Sequence, residues 1–251
     1  MKKLGIVSTF SDKGYHEYGR HFVESVRRFV DPNITVYIYV DNTEIDNPPS
    51  NFVIRKLEPS VPELTEFKQR NAHRVPGKFI YDGVRFSHKS YCIWHCANNA
   101  EVDTLYWIDS DAEIYSSITE DYLKGFLPEG LFTSYLGRPH YTETGFLAFD
   151  LNHKYAKEFF DVWKEYYTHD TIYDLAGQLD CHAFDAARER LEKEGKINNY
   201  DIARIRFPEL GKNHFNAALE HHVIHYKGDR KLKRDEQLAR AIKRMRKGKG
   251  E

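Results

Sequence analysis

The sequence predicts an α/β domain: a mainly parallel central sheet flanked by helices. Three observations predict it. Short β-branched and aromatic runs alternate along the chain with longer segments whose apolar residues recur every three or four positions. One apolar run, Asp103 to Ile108, delivers two carboxylates to its carboxyl end, where open α/β sheets present ligand-binding groups. No internal repeat or linker interrupts the 251 residues, so one domain is the better count.

Leu4 to Thr9 reads as a compact first strand, and Asp12 and Gly14 mark a turn. A helix follows from about Tyr15 to Phe29, with Phe22, Val23, Val26 and Phe29 on one face, and Asp31-Pro32-Asn33 stops it. Ile34 to Val40 is a β-branched and aromatic second strand, and Phe52 to Leu57 a weaker third. Four punctuators, Pro59, Pro62, Pro76 and Gly77, make Glu58 to Gly83 an irregular excursion with one short helix. Phe86 to Ala100 reads as a helix and Asp103 to Ile108 as the central strand. Leu131–Leu136 and Gly145–Asp150 read as strands, His153–Thr168 and Asp180–Glu194 as helices. Ile202–Phe207 and His222–Tyr226 are short late strands. The domain is expected to occupy residues 1–231, with 232–251 a basic, polar tail of helical character.

Composition is that of an ordinary globular chain, 41% hydrophobic and 30% charged, with an aromatic surplus of 14% that suits a core and a sugar- or base-stacking cleft alike. Cys92, Cys96 and Cys181 cannot build a disulfide framework and are expected to be buried thiols. No stretch approaches ~18 apolar residues, and the short run after Met1-Lys2-Lys3 is too brief for a signal-peptide core. The expectation is a cytoplasmic protein of a bacterium or a phage-infected host.

The strongest chemical signal is Leu105-Tyr-Trp-Ile-Asp-Ser-Asp-Ala112. Asp109 and Asp111, two apart, would point the same way in extended backbone and share a hard cation such as Mn²⁺ or Mg²⁺. Alone, Asp-x-Asp is also what a solvated turn looks like. The second signal is His225-Tyr-Lys-Gly-Asp-Arg-Lys231, which follows Val223-Ile224. A neutral imidazole supplies a metal's nitrogen ligand, Gly228 lets backbone approach a phosphate, and Lys231 neutralises diphosphate charge as a sugar departs.

Taken together, Asp-x-Asp after a strand and His-x-x-Gly-x-x-Lys some 115 residues later resemble the retaining glycosyltransferases of family eight, which include glycogenin and bacterial galactosyltransferases. The resemblance implies the GT-A (Rossmann-like) fold. It implies Mn²⁺, or Mg²⁺, on Asp109, Asp111 and His225, and a UDP-sugar whose diphosphate meets Gly228 and Lys231. It further implies a nucleotide-base site at Val7, Ser8 and Thr9 and donor contacts from Arg85, Lys89 and Ser110. The chain departs from the family in having Leu232-Lys233 where a Pro-Trp follows the lysine. The family's Asp-Gln pair is also absent, its nearest counterpart being Asp180-Cys-His-Ala-Phe-Asp-Ala-Ala-Arg188.

Catalytic candidates beside Lys231 are Glu143 and Asp180. Glu143, in Thr142-Glu-Thr-Gly-Phe146, is either a cleft carboxylate or an exposed loop residue. Asp180 binds sugar hydroxyls or caps the helix that begins there, and Asp185 and Arg188 have the spacing of an intrahelical pair. The implied reaction moves a glycosyl group to an acceptor hydroxyl with retention, by front-face displacement, since no residue declares itself a covalent nucleophile.

Charge bears on the acceptor. Residues 227–251 carry eleven Lys/Arg against four Asp/Glu, +7, while the remainder is −8. The tail is a solvated appendage, or it faces a polyanion: hydroxymethylated bases in phage DNA, or a membrane bearing a lipid-linked sugar. DNA is the preferred of these two, and a saccharide is the other acceptor class. A metal-dependent nucleotidyltransferase would leave the late histidine motif unexplained. A non-catalytic nucleic-acid-binding protein would need aromatics interleaved in the tail, which are missing.

Overall fold

The computed structural model describes residues 2–204, 219, 221–226 and 233–248. Its main sheet has the order β3-β2-β1-β4-β7-β6-β8: β1 (Leu4–Phe10), β2 (Thr35–Val40), β3 (Phe52–Lys56), β4 (Thr104–Ile108), β6 (Thr133–Leu136), β7 (Glu143–Asp150) and β8 (Asn199–Asp201). Four of its six pairings are parallel; β7 runs antiparallel to both β4 and β6. The expected α/β domain with a mostly parallel sheet is what the chain forms.

Both faces of the sheet are covered, which is why its strands read as nearly continuous apolar runs. Val7, Tyr37, Tyr39, Leu105, Trp107, Leu147 and Phe149 face one core, together with α2 (Pro62–Arg70), α3 (Gly83–Asn99), α5 (Ala156–Thr168) and α6 (Asp180–Lys193). Their strand neighbours Ile6, Val36, Ile38, Tyr106, Ile108, Phe146 and Ala148 face the other core, against α1 (Arg20–Phe29) and α4 (Glu120–Lys124). The period-2 alternation thus sorts each strand's side chains into two cores.

A second, two-stranded sheet escaped the sequence reading in part. β5 (Ala112–Ile114) pairs antiparallel with β9 (Val223–His225), setting Ala112 opposite His225. Three residues carry no readable periodicity. α7 (Arg234–Gly248) packs Leu238, Ala241, Ile242 and Met245 against Tyr115, Ile224 and Tyr226, so the basic tail has a docked apolar face.

Several boundaries differ from expectation. The first helix begins with a π-helical turn, Tyr15–Gly19, after a Ser11-capped turn at Asp12–Gly14. α3 starts at Gly83 because the Asp82 side chain accepts a bond from the Arg85 amide at 3.1 Å. The strand expected from Ile202 lies one turn earlier, at Asn199–Asp201; Ile202–Arg204 is a 3₁₀ turn, and 205–207 lie outside the described residues. The excursion before α3 is better ordered than its prolines suggest. Pro62 stands at the start of α2, a position that costs the helix no hydrogen bond.

Candidate metal and donor site

Four chain segments converge at the carboxyl end of β4. The Asp109 amide bonds to the Gly145 carbonyl at 2.9 Å, continuing the β4–β7 ladder for one more residue. The chain then turns: the Ala112 amide returns to the Asp109 carbonyl at 3.0 Å. Asp109 and Asp111 are therefore brought together by a turn and not by the extended backbone that the period-2 argument assumed. The β5–β9 pairing supplies the third group. The Tyr226 amide bonds to the Asp111 carbonyl at 3.0 Å, and the fully buried His225 side chain lies between the two carboxylates. His225 Nε2 stands 2.8 Å from Asp111 Oδ1 and 3.5 Å from Asp109 Oδ2.

Glu143 is buried, 3% exposed, which excludes the exposed-loop reading. Its Oε1 accepts from the Gly145 amide at 3.1 Å, and its Oε2 pairs with Arg138 at 2.9 Å. Among the described residues, Asp109, Glu143 and His225 form a trio whose ligand atoms all lie within 4.8 Å of one another. Asp111 joins it through His225.

Lys89 organises the opposite side. Its ammonium is 2.8 Å from Asp109 Oδ1 and 2.9 Å from Asp180 Oδ2, and it donates to the Thr144 carbonyl at 3.0 Å. Thr144 Oγ1 donates to Asp180 Oδ2, and the Trp107 indole donates to Asp109 Oδ1 at 2.7 Å. One Asp109 oxygen is thus engaged by Trp107 and Lys89, leaving Oδ2 toward His225. Asp180 is not a helix cap: Leu179 holds that position, and the Asp180 carboxylate reaches Lys89. Burial alone would lower the Lys89 pKa, but Asp109 and Asp180 outweigh it and hold the ammonium well above its ordinary range.

The sequence matches no protein-family model and no curated protein. The fold, by contrast, has solved relatives. Mouse xyloside xylosyltransferase 1, in its apo form, superposes with a TM-score of 0.50 at 9% identity, covering 80% of this chain and 85% of that one. The Streptococcus pneumoniae glycosyltransferase GlyE gives 0.45 at 12% identity, covering 81% of this chain but 46% of its own.

The chain has a GT-A, Rossmann-like α/β fold.

On this GT-A sheet, the residues singled out from sequence distribute unevenly. Asp109, Asp111, His225, Glu143, Asp180 and Lys89 come together. Ser110 is adjacent, but its hydroxyl donates to the Thr9 carbonyl at 2.6 Å. Val7 and Ser8 are fully buried, and the Ser8 hydroxyl is bonded to the Ile108 carbonyl, so neither side chain is presented to a ligand. Thr9 donates to the Tyr39 carbonyl at 2.9 Å. Arg85 is exposed, with its guanidinium near the Phe79 and Phe86 rings. Gly228 and Lys231 lie outside the described residues.

Sequence reasoning missed Trp107, Arg138 and Tyr18, and gave Thr144 no role of its own within the Thr142–Phe146 segment. Trp107 was signalled by its place two residues before Asp109, on the same strand face. Tyr18 sits on the π-helical turn, a distortion common at functional sites. Burial, then the charges of Asp111 and Asp109, push its phenol up to about 12.

The donor set fits a divalent ion. Carboxylate oxygens with one imidazole suit Mn²⁺ or Mg²⁺. Neighbouring ligands of an octahedral ion with ~2.1 Å bonds stand roughly 3 Å apart, a spacing that falls between the 2.8 and 3.5 Å separations around His225 Nε2.

Proposed function

We propose that this chain is a metal-dependent glycosyltransferase that takes its sugar from a nucleotide diphosphate donor, UDP-linked, and retains the anomeric configuration. The observation that carries the reading is the meeting of Asp109, Asp111, Glu143 and His225 at the carboxyl end of β4 in a GT-A sheet. Asp109 Oδ2, Asp111 Oδ1 and His225 Nε2 would hold Mn²⁺ or Mg²⁺, with Glu143 within reach of the same ion. When bound, such an ion neutralises diphosphate charge as the glycosyl bond breaks.

The protein's own groups do the rest. Lys89, an ammonium at any physiological pH, cannot act as a base; it holds Asp109 and Asp180 at fixed orientation. Asp180, buried and bonded through Oδ2 to Lys89 and Thr144, would offer its other carboxylate oxygen to a sugar hydroxyl. Lys231 and Gly228 receive the diphosphate in the family-eight pattern, and Arg85 carries positive charge to the donor side. Retention without a protein nucleophile leaves the acceptor proton to pass to the departing phosphate. The base is received beyond the end of β1, by Thr9 and by backbone, because the Val7 and Ser8 side chains are buried.

Two acceptor classes compete. A modified base in DNA is supported by the exposed Arg240, Lys243, Arg244 and Arg246 of α7; a saccharide draws on different residues. No helix among the described residues is long and apolar enough to cross a membrane.

The experiment is calorimetric titration of UDP with and without Mn²⁺, followed by hydrolysis assays over a panel of UDP-sugars. Metal-dependent UDP binding that disappears in His225→Ala is expected. UDP affinity indifferent to Mn²⁺ would overturn the reading.

A further inference from the structure

A cavity of about 590 Å³ opens between β6, the start of β7, α6 and the end of β8. Its size is that of a small-molecule site, and the donor chemistry above does not use it. Its walls are built rather than incidental. Asp185 of α6 accepts from both the Thr142 amide, at 2.8 Å, and the Thr142 hydroxyl. The Gly137 amide donates to Asp201 Oδ1 at 2.8 Å, and a Cβ on Gly137 would come within 2.5 Å of the other Asp201 oxygen, so a larger residue there would displace the Asp201 carboxylate. Arg188 lies over the Tyr135 ring at 4.5 Å, is 9% exposed, and has a buried Nε without a hydrogen-bond partner.

The cavity abuts the metal cluster. Arg138 lines it and pairs with Glu143, and Thr142 precedes Glu143 in the chain. We propose that this cavity is the acceptor subsite of the transfer reaction, and that it takes a neutral, hydroxyl-rich saccharide with Tyr141 as its stacking surface. The proposal rests on the transferase reading above.

Three features select that chemistry. Tyr141 is 39% exposed and is backed by the His182 ring at 5.5 Å, giving a supported aromatic face at the rim. An aromatic face of this kind packs on the C–H face of a sugar ring while its hydroxyl stays wet. The polar lining offers carboxylates and guanidinium donors together, the mixture that vicinal hydroxyls satisfy. The charges are also balanced against phosphate. Arg138 is paired with Glu143, and Arg188 with Asp185, Glu189 and Glu192, at 3.2, 3.3 and 2.6 Å, while Asp201 brings a further carboxylate to the wall. A nucleic-acid strand entering here would bring phosphates against the three carboxylates that line the cavity, Asp185, Glu189 and Asp201.

Saturation-transfer NMR on the full chain tests this, using methyl β-galactoside, methyl α-glucoside, methyl β-xyloside and lactose at millimolar concentration, and a 20-base-pair duplex as the polyanion. Wild type is expected to bind at least one glycoside. Tyr141→Ala should weaken it at least tenfold and Tyr141→Phe less than threefold, while the affinity for UDP with Mn²⁺ stays within twofold in both. Tyr141 is a partly exposed rim residue, and retained UDP binding reports that each variant is folded. Absence of glycoside binding, equal binding in Tyr141→Ala, or displacement of the glycoside by the duplex would each overturn the proposal. Tyr141-dependent glycoside binding without any UDP binding would sink the transferase reading while supporting saccharide recognition in this cavity.

Discussion

Arg234, at the start of the C-terminal helix, grips Glu113, two residues beyond Asp111. Its Nε donates to Glu113 Oε2 at 2.8 Å and its Nη2 to the other oxygen, while the Tyr226 hydroxyl donates to Oε2 at 3.0 Å. Glu113 is buried on β5, whose partner strand ends in His225. A basic segment that reads as an appendage is therefore tied to the strand pair that brings His225 to the two aspartates.

Arg234→Met should consequently weaken Mn²⁺ binding about fivefold to tenfold, measured by calorimetry in the presence of UDP. It leaves a buried carboxylate without its bidentate partner, at a cost of about 1–3 kcal/mol once its partial exposure is allowed for. Arg234→Lys should recover part of the loss. Metal affinity unchanged in Arg234→Met would mean that α7 docks without steadying the site.

Asp109→Asn, Asp111→Asn and His225→Ala should each lower Mn²⁺-dependent UDP affinity by tenfold or more, with the melting temperature little changed for Asp111→Asn. Glu143→Gln is the informative variant, because Glu143 shares with Asp109 and His225 a trio of donors within 4.8 Å of one another but also holds Arg138 and the Gly145 amide. Loss of metal binding comparable to His225→Ala would make it a ligand. Loss of stability with metal affinity retained would make it a strut.

Lys89→Met should destabilise the fold by about 3 kcal/mol, since it strands Asp109 and Asp180 facing a buried apolar chain. The double variant Lys89→Met/Asp180→Asn should regain part of that loss. Chemical denaturation of the four proteins in a double-mutant cycle gives the coupling. A coupling near zero would show that the Asp180 carboxylate is held by other means.

Acid should destabilise the protein through His88. Burial, and secondarily the Lys68 charge, lower its pKa from the ordinary 6.5 to about 4. The folded state therefore keeps the ring neutral while the unfolded chain protonates. The stabilisation is complete above pH 6.5, declines as pH falls toward 4, and changes no further below that. Allowing for partial exposure, the loss attributable to His88 is about 2 kcal/mol. Denaturant titrations at pH 7.5 and 4.5 should give a smaller difference for His88→Gln than for wild type. Equal differences would assign the acid sensitivity to other groups.

What was legible from sequence was whatever short-range pattern encodes. Leu105–Asp111 showed an apolar strand ending in carboxylates, and β1, β2, β4, β7 and α5 were readable from periods of 2 and 3.6, since each buries a continuous face. Asp109, Asp111 and His225 were legible as candidates because their residue types at a strand end suit metal chemistry, whereas Glu143, which joins Asp109 and His225 in the donor trio, was not among the expected ligands. β5 was not, at three residues, and neither was the π-helical turn that carries Tyr18, because neither leaves a repeating pattern.

Tertiary structure alone decided which candidates meet. Glu143 was an even choice between cleft and loop until β7 was found paired to β4, which buries it beside Asp109. Asp180 read equally well as a helix cap until α6 packed its first turn toward Lys89. Val7 and Ser8, expected at a base site, face opposite sides of β1, and both are buried because the sheet is covered on both faces. The physical reason is range. Strand and helix patterns arise from neighbours a few residues apart, whereas the site joins positions 89, 109, 143, 180 and 225, whose approach depends on strand order and sheet pairing that no local pattern contains.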